Sequence, residues 1–320
     1  MFRGCFFEYA GIYSGDYNLT MMYVENSYDK FVTGGAYEPI TESLPNSAES
    51  LLYGLNYSEK PLEFSVEIIN EDGVIPIEQM REIKRWLFGQ DGWKTLRLMD
   101  EDYRPYHLKC LFIPEEDIVD GLGYRGVRCT LKNVSPFWYG DEETITFTKD
   151  DLIKMAQKTN SDGTIDSEGN ISNAGNIWTT IHIKGQDPCR IYPIIKFKAP
   201  KEETGVPGIN YMRFRVENNL GDTDKESRIN FYLETPWDEY DYTVDMKYMN
   251  CTRQKNDKKP MSFLYSPVNK SGRLLYFEAG DNRIAINVRN EPNNTDETGK
   301  FTPYDYLSFS YIPKYRLGGF

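Results

Sequence analysis

The feature that most constrains the fold is a single strong helical pattern, Pro76 to Phe88, with strand and turn patterns on both sides of it. Within it, apolar residues recur at the three- and four-residue spacing of one helix face. They are Ile77, Met80, Ile83 and Leu87. Pro76 suits a helix start and Gly89 suits a helix stop. We therefore predict one amphipathic helix that covers a β-sheet and carries no residue suited to catalysis.

The rest of the chain alternates apolar and polar residues, as is typical of half-buried strands. Residues 63–68 show this pattern before the helix, and residues 106–112 show it after the helix. In the second half, short strands are separated by Gly, Asn and Pro turns, and Leu307, Phe309 and Tyr311 form the last strand. Aromatic residues make up 14% of the chain, which also favours strands. The predicted fold class is mainly β.

The length of 320 residues is sufficient for two domains. After Thr148 the aromatic strands give way to a polar run, Lys158 to Asn176, so we place the domain boundary near residue 148. The first domain, 1–148, is predicted to be β-sandwich-like with one α-helix at about 76–88. The second, 149–305, is predicted to be an antiparallel β-sandwich because no helical pattern separates its strands.

Between Tyr37 and Tyr57 the strand pattern weakens into a Pro-, Asn- and Ser-rich sequence flanked by apolar clusters. This composition is typical of a long hairpin that leaves the domain body, and we call residues 37–57 the arm. Apolar groups on such a segment are costly to leave in water, and its own turns offer little local core. We therefore predict that its apolar residues are buried against a neighbouring subunit. They are Ile40, Leu44, Leu51, Leu52 and Tyr53.

The charge and the cysteines exclude several classes of protein. A net charge of −12 and a pI near 4.9 argue against binding nucleic acid through a basic face. The five cysteines are widely spaced without a Cys-x-x-Cys pair, and we predict buried, reduced thiols. The N-terminus has no apolar signal-peptide core, and no stretch approaches the ~18 apolar residues of a membrane span. We expect folding in a reducing cytoplasm, without a membrane.

Residue sets that support catalysis are missing from the sequence. His107 and His182 are both predicted to face solvent from strands, and there is no nucleophile elbow, phosphate-binding loop or zinc-protease motif. The acidic clusters at 141–143 and 237–241 are interpreted as solvated loops instead of a glycosidase pair. Residues 162–169 are interpreted as turns instead of a calcium loop. We therefore predict a protein that is not an enzyme and that holds no cofactor or metal.

Several segments, taken in their order along the chain, carry a family resemblance. Those of the first half are Phe7 to Leu19, the arm, Arg85-Trp86-Leu87, Tyr103 to Tyr106 and Pro136 to Tyr139. Those of the second half are Asn173 to Asn176 before Tyr192 to Ile195, and Gly280 to Asn282 before Arg283 to Ile286. The first set resembles the distal tail proteins (Dit) of long-tailed siphovirus bacteriophages. The second resembles the galectin-like C-terminal sandwich that this family carries.

The resemblance implies a structural protein of the virion, located at the tail tip and assembled in the host cytoplasm. In that family six copies form a ring through the N-terminal domains, and the hairpin arm embraces the next subunit. The ring joins the tail tube to the tail-associated hub of the baseplate, in some phages holds receptor-binding proteins, and lets DNA pass without specific binding. The resemblance also implies that a closing strand within 306–320, assigned to Leu307 to Tyr311, returns to the first domain.

A carbohydrate-binding β-sandwich that mediates adhesion to the host surface is the alternative. The 24 tyrosines offer aromatic rings that can stack on sugars. However, the sequence has neither of the motifs by which galectins bind sugar. Asn287-Val288-Arg289-Asn290 lacks the His of a His-x-Asn-x-Arg strand, and Trp237 is followed by Asp238 where a galectin has Gly.

Overall fold

The computed structural model describes residues 4–24, 36–43, 50–58, 63–159, 177–186, 190–198, 211–218, 226–232, 240–248, 250–255, 259–262, 275–289 and 306–315. These residues are mainly β-strand, with two α-helices. They divide into two compact units, which we describe separately. One unit comprises Met1–Asp141 and Tyr315–Phe320, and the other comprises Glu142–Lys314.

Seven strands of the first unit form one antiparallel sheet. The described elements of this unit are β1 (Phe7–Tyr9), β2 (Ile12–Tyr13), a 3-10 turn (Ser14–Tyr17), β3 (Thr20–Tyr23), β4 (Ala36–Ser43), β5 (Ser50–Ser58), β6 (Glu63–Ile69), α1 (Ile77–Phe88), β7 (Lys94–Leu98), β8 (Leu108–Asp120), β9 (Gly123–Asn133) and β10 (Trp138–Tyr139). The strand order in the sheet is β2-β1-β7-β8-β9-β6-β3. Sequence neighbours β8 and β9 form a long hairpin in its middle.

The chain just before β1 reaches the opposite edge of this sheet. Cys5 N–H donates to Met21 O at 3.1 Å, and Met21 N–H donates to Cys5 O at 2.9 Å. Since Met21 belongs to the edge strand β3, the sheet curls until its two ends meet. The apolar face of the curled sheet forms the core of the first unit, in which Phe7, Tyr9 and Trp138 are fully buried.

Helix α1 covers this core as predicted. Trp86 Nε1–H donates to Tyr9 O at 2.8 Å, and its ring stacks on Phe7 with centroids 5.7 Å apart. Met80, Ile83 and Leu87 are buried, but Ile77 is 54% exposed in the first turn, and Trp86 completes the buried face in its place.

A second helix, α2 (Lys149–Thr159), was not predicted. It follows directly from strand β11 (Glu143–Thr148), and Thr148 caps it. Thr148 N–H and O–H donate to Asp151 Oδ2 at 3.0 and 2.7 Å, and Asp151 N–H donates back to Thr148 Oγ1 at 3.3 Å. This is a capping box, with Asp in the place of the usual Glu or Gln. The polar run predicted from Lys158 to Asn176 lies outside the described residues after Thr159.

The second unit contains two antiparallel sheets, as expected of a sandwich. Its remaining strands are β12 (Ile177–Ile183), β13 (Ile194–Lys198), β14 (Tyr211–Asn218), β15 (Glu226–Tyr232), β16 (Tyr240–Asp245), β17 (Asn250–Lys255), β18 (Met261–Ser262), β19 (Gly280–Arg289) and β20 (Tyr306–Tyr311), and β21 (Lys314–Tyr315) follows. One sheet has the order β11-β20-β13-β16-β17-β18, and the other has the order β12-β19-β14-β15. Strand β11 pairs with β20, so the second unit begins at Glu142, where the sequence predicted a division near residue 148.

Strand β20 corrects the placement of Leu307 to Tyr311. The sequence assigned these residues to a strand that returns to the first domain, but β20 lies between β11 and β13 within the second unit. Both sides of this central strand are buried, with Ser308 and Ser310 on one side and Leu307 and Phe309 on the other. Of the described residues that follow, Tyr315 is grouped with the first unit, where its ring lies 4.6 Å from that of Tyr106.

Candidate assembly surfaces

The arm forms a two-stranded sheet of its own. Strand β4 pairs antiparallel with β5, and in the described part of the chain neither strand joins another sheet. The pairing runs from Ala36↔Ser58 to Ser43↔Ser50, and its register shifts between Ile40 and Thr41. The hairpin predicted for this segment is therefore present, and four of its five predicted contact residues lie in β4 or β5. The fifth, Leu44, lies outside the described residues.

The register shift determines which residues share a face of the arm. Because Thr41 pairs with Leu52 and Ile40 pairs with Gly54, Tyr53 is the extra residue of a β-bulge. Register partners in a sheet share a face, and faces alternate along a strand. One face therefore holds the positions Tyr37, Pro39, Thr41, Leu52, Leu55 and Tyr57, and we call it the apolar arm face.

The other arm face holds the positions of Ile40, Leu51 and two acidic residues, Glu38 and Glu42. The five predicted contact residues are thus divided between two faces and a bulge. Leu55, which the sequence reasoning did not select, belongs to the apolar arm face together with Leu52. Strict alternation along β5 does not predict this grouping, because the extra residue Tyr53 changes which residues before and after it share a face.

An exposed apolar surface lies at the tip of the β8–β9 hairpin. Leu122 in the turn is 79% exposed and Val119 is 60% exposed, and Val74 and Ile77 are also exposed. The segment before α1 is held against this hairpin, because Ile75 N–H donates to Tyr124 O at 2.7 Å. Gly123, at φ +142, permits the close approach, since a Cβ there would lie 2.7 Å from Val74 Cγ1.

The outer face of strands β6 and β9 is polar and internally paired. Register partners Glu63 and Lys132 form an ion pair at 2.8 Å, and Glu67 and Arg128 form one at 2.5 Å. Arg128 also pairs with Glu116 of β8. Exposed ion pairs of this kind contribute little stability, because solvent and salt screen the charges. These charged side chains make the outer face of β6 and β9 polar, so it offers no apolar docking surface.

The two histidines differ from each other. His182 is 72% exposed as predicted, with Nδ1 2.8 Å from Asp281 Oδ1. His107 was also predicted to face solvent, but it is only 8% exposed, because Tyr139 forms an isolated bridge with it through two backbone hydrogen bonds of 2.8 Å. Burial, followed by the charges of Arg97 and Lys109, lowers the pKa of His107 to about 4. His107 is therefore uncharged at pH 7, and its role is structural.

The described cysteines are buried or half-buried free thiols, as predicted. Cys110, Cys129 and Cys251 are buried, and Cys5 is half-buried. Burial raises the pKa of Cys5 to about 11 and raises the pKa of Cys110 and Cys129 further. Thiols of this kind stay protonated at neutral pH and are poor nucleophiles.

Three of the acidic residues considered for catalysis, Asp141, Glu143 and Asp241, bind partners of their own. Arg97 donates to Asp141 at 2.6 Å and lowers the pKa of that carboxyl group. Lys184 donates to Glu143 at 2.7 Å, and Tyr306 O–H donates to Asp241 at 3.0 Å. Residues 162–169 and 237–239 lie outside the described residues. Among the residues that the structure describes, no cluster of three metal ligands occurs, and no helix is long and apolar enough to cross a membrane.

Comparison with known proteins gives two findings. Residues 2–135 match the family model described as a phage tail protein N-terminal domain. Over its whole length the structure matches the Dit protein of phage SPP1, with a TM-score of 0.57, 11% sequence identity, and coverage of 98% of this chain and 99% of that one. This chain has the fold of a phage distal tail protein. The resemblance inferred from the sequence is therefore confirmed for the fold.

Two other structural matches are weaker. Chains from two structures of the phage P2 baseplate in its activated conformation, with Ca and with Sr, match at TM-scores of 0.46 and 0.44 and 10% identity. The first covers 98% of both chains, and the second covers 96% of this chain and 97% of that one. No curated protein sequence matches the chain.

Proposed function

We propose that the protein is a structural component of a phage tail tip, in which six copies form a ring. The ring is built by the N-terminal domain, and it joins the tail tube protein to the tail-associated hub protein of the baseplate. The ring also offers a place where receptor-binding proteins can attach. Support comes from the Dit fold, which extends over both units, and from the tail-protein match of residues 2–135. The same support favours a structural role over an enzymatic one.

The observation that carries the proposal is the separate sheet of the arm. A single two-stranded hairpin is marginally stable in water at best, because it cannot bury its apolar side chains by itself. The apolar arm face concentrates Leu52, Leu55, Tyr37 and Tyr57 on one side of such a hairpin. A neighbouring copy that covers this face provides the missing core.

Contact between the arm of one copy and a different surface of the next is a head-to-tail contact. Such contacts close into a ring when the rotation between copies permits it. An interface that persists in a virion is expected to bury well over ~1,000 Å². One ring then requires only one type of contact, repeated six times.

The proposed ring encloses a channel through which DNA passes without being bound. Residues 1–141 contain 23 Asp and Glu against 13 Lys and Arg, so most of the net charge of −12 belongs to the first unit. A wall of this sign repels the phosphate backbone and keeps it mobile.

Two matched double variants test the role of the arm. L52S/L55S removes two leucines from the apolar arm face, and I40S/L51S removes two large apolar residues from the other arm face. We expect L52S/L55S to reduce the hexamer at least tenfold, and I40S/L51S to reduce it much less, with melting temperatures within about 2 °C of the wild type for both. Size-exclusion chromatography with light scattering, with and without the hub protein, measures the assembly.

Images of the assembled tail tip provide the second measurement. Six-fold averaged density for the protein mixed with its hub partner is the expected result. A monomer in both samples would contradict the ring, and equal assembly by the two variants would contradict the role of the apolar arm face while leaving the ring intact.

A further inference from the structure

The four-stranded sheet of the second unit has one face whose orientation is fixed by its described side chains. On β12, Thr180 and His182 are exposed whereas Ile181 and Ile183 are buried. On β19, Asp281 and Arg283 are exposed whereas Asn282 and Ile284 are buried. Positions that share a face with His182 and Arg283 therefore belong to the outward face of this sheet.

The register places four arginines on one half of this outward face. Arg215 of β14 pairs with Arg228 of β15, and Arg213 lies two positions along β14 on the same face. In the next row, Arg289 of β19 pairs with Tyr211 of β14. Rows are ~7 Å apart along a strand and adjacent strands are ~4.8 Å apart, so these positions form one compact group.

The acidic residues of the outward face lie on its other half. Glu217 pairs with Glu226 and with Arg283, one row beyond Arg215, and Asp281 lies one row further. No Asp or Glu occupies the three rows that contain Arg213, Arg215, Arg228 and Arg289. We call the described positions of these three rows the arginine face.

Two of the arginines lie directly opposite each other on neighbouring strands. Like charges at paired positions on neighbouring strands destabilise the pairing. Arg215 and Arg228 occupy such positions, and Arg213 adds a third positive charge beside them. An anionic group bound at these positions would remove the repulsion, and a guanidinium can bind a phosphate or carboxylate through two parallel hydrogen bonds.

The neutral positions of the arginine face indicate the kind of anion. Trp178 lies in the row of Arg215, and Asn287 and Asn230 lie in the row of Arg213. Tyr211 and Tyr232 pair in the third row. Aromatic rings provide flat apolar surfaces against which a sugar ring can pack, and amide side chains donate to and accept from hydroxyl groups.

We propose that the arginine face binds an anionic polysaccharide through the phosphate or carboxylate groups that the polymer carries. The arginines bind the anionic groups, and the Trp, Tyr and Asn positions bind the sugar rings and hydroxyls. This binding is an additional activity and does not depend on the proposed ring.

The test uses the full chain in biolayer interferometry against four immobilised probes: poly(glycerol phosphate), polygalacturonate, neutral dextran and polyglutamate. We expect binding to one or both of the first two, and at least tenfold weaker binding to dextran and polyglutamate. The relative affinities for the first two distinguish phosphate from carboxylate. Raising the salt concentration from 50 to 300 mM should weaken binding, because charged groups provide much of it.

Variants locate the site. R215S/R228S should weaken binding at least tenfold, and R213Q, which is less disruptive, at least threefold. K196S/K247S is the matched control. It removes two exposed cations of the same unit, one from β13 of the other sheet and one from the turn after β16. Its affinity should stay within twofold of that of the wild type. W178A should weaken polysaccharide binding while circular dichroism stays unchanged.

Three results would overturn the proposal. In the first, the wild-type protein binds neither anionic polysaccharide. In the second, it binds polyglutamate as tightly as it binds the polysaccharides. In the third, K196S/K247S and R215S/R228S lose affinity to the same extent.

Discussion

His107 and Gly126 are two residues whose role depends on contacts that strand alternation does not reveal. His107 alternates with apolar neighbours in a pattern that predicts exposure, but the returning segment at Tyr139 covers it. Gly126 lies in the middle of β9, and a Cβ there would lie 2.1 Å from Ile68 O. A local pattern shows which side of a strand a residue is on, but it cannot show what later covers that side.

The burial of His107 makes stability depend on pH. Its pKa is about 4 in the folded protein, against 6.5 for an ordinary histidine, so the unfolded chain binds the proton more strongly. The stabilising contribution is complete above pH 6.5 and is lost as the pH falls toward 4, by up to about 3 kcal/mol. We expect H107Q to reduce this loss between pH 7 and 5, measured by urea unfolding.

The control for this prediction is H182Q, which replaces the exposed histidine. It removes a histidine and leaves the surroundings of His107 unchanged. An identical pH dependence in the wild type and H107Q would show that His107 is not the group responsible.

We predict that Gly126 does not tolerate a side chain, because the backbone oxygen of Ile68 lies too close to it. G126A should lower the free energy of unfolding by about 2 kcal/mol or more, since a backbone oxygen must move to admit the methyl group. G92A is the comparison, because a Cβ at Gly92 meets nothing within 4 Å. Equal stability of the two variants in denaturant unfolding would be inconsistent with this steric account.

At the scale of elements, helix α1, the main strands and the arm hairpin were predictable, whereas α2 and the arm register were not. The pattern of α1 is long and has strong start and stop residues. The sequence signal of helix α2 is weaker, because the helix follows a strand without a break. Its one clear signal was the Thr148–Asp151 pair. The bulge at Tyr53 depends on the pairing of two strands, so no pattern within either strand could locate it.

The capping box of α2 leads to a prediction at this scale. T148A should destabilise the second unit by about 1 kcal/mol more than T146A, because only Thr148 bonds to Asp151. Thr146 is an exposed threonine of the same strand, so both variants lose the same β-propensity. Amide exchange should increase in the first turn of α2 for T148A alone, and increases of equal size in T146A would argue against the cap.

For the whole molecule, the distribution of charge bears on assembly. The first unit holds most of the net negative charge, and in the proposed ring it is this unit that meets its own copies. Repulsion between like charges is screened by salt, with a Debye length of ~10 Å at 0.1 M. We therefore expect the hexamer fraction to rise between 50 and 500 mM NaCl at fixed protein concentration, measured by mass photometry. A fraction that falls with salt would indicate attractive charge pairs between copies instead.

The pairing of β11 with β20 has a consequence for the order in which the protein forms during translation. Residues 143–148 cannot complete their sheet until residues 306–311 have left the ribosome, because β20 lies between β11 and β13. The first unit has its seven strands available long before that moment. Until then β11 and β13 each lack a neighbour, and unpaired strand edges are prone to aggregation. A nascent chain stalled near residue 300 would therefore carry the complete seven-stranded sheet of the first unit and a second unit whose strand edges are unpaired.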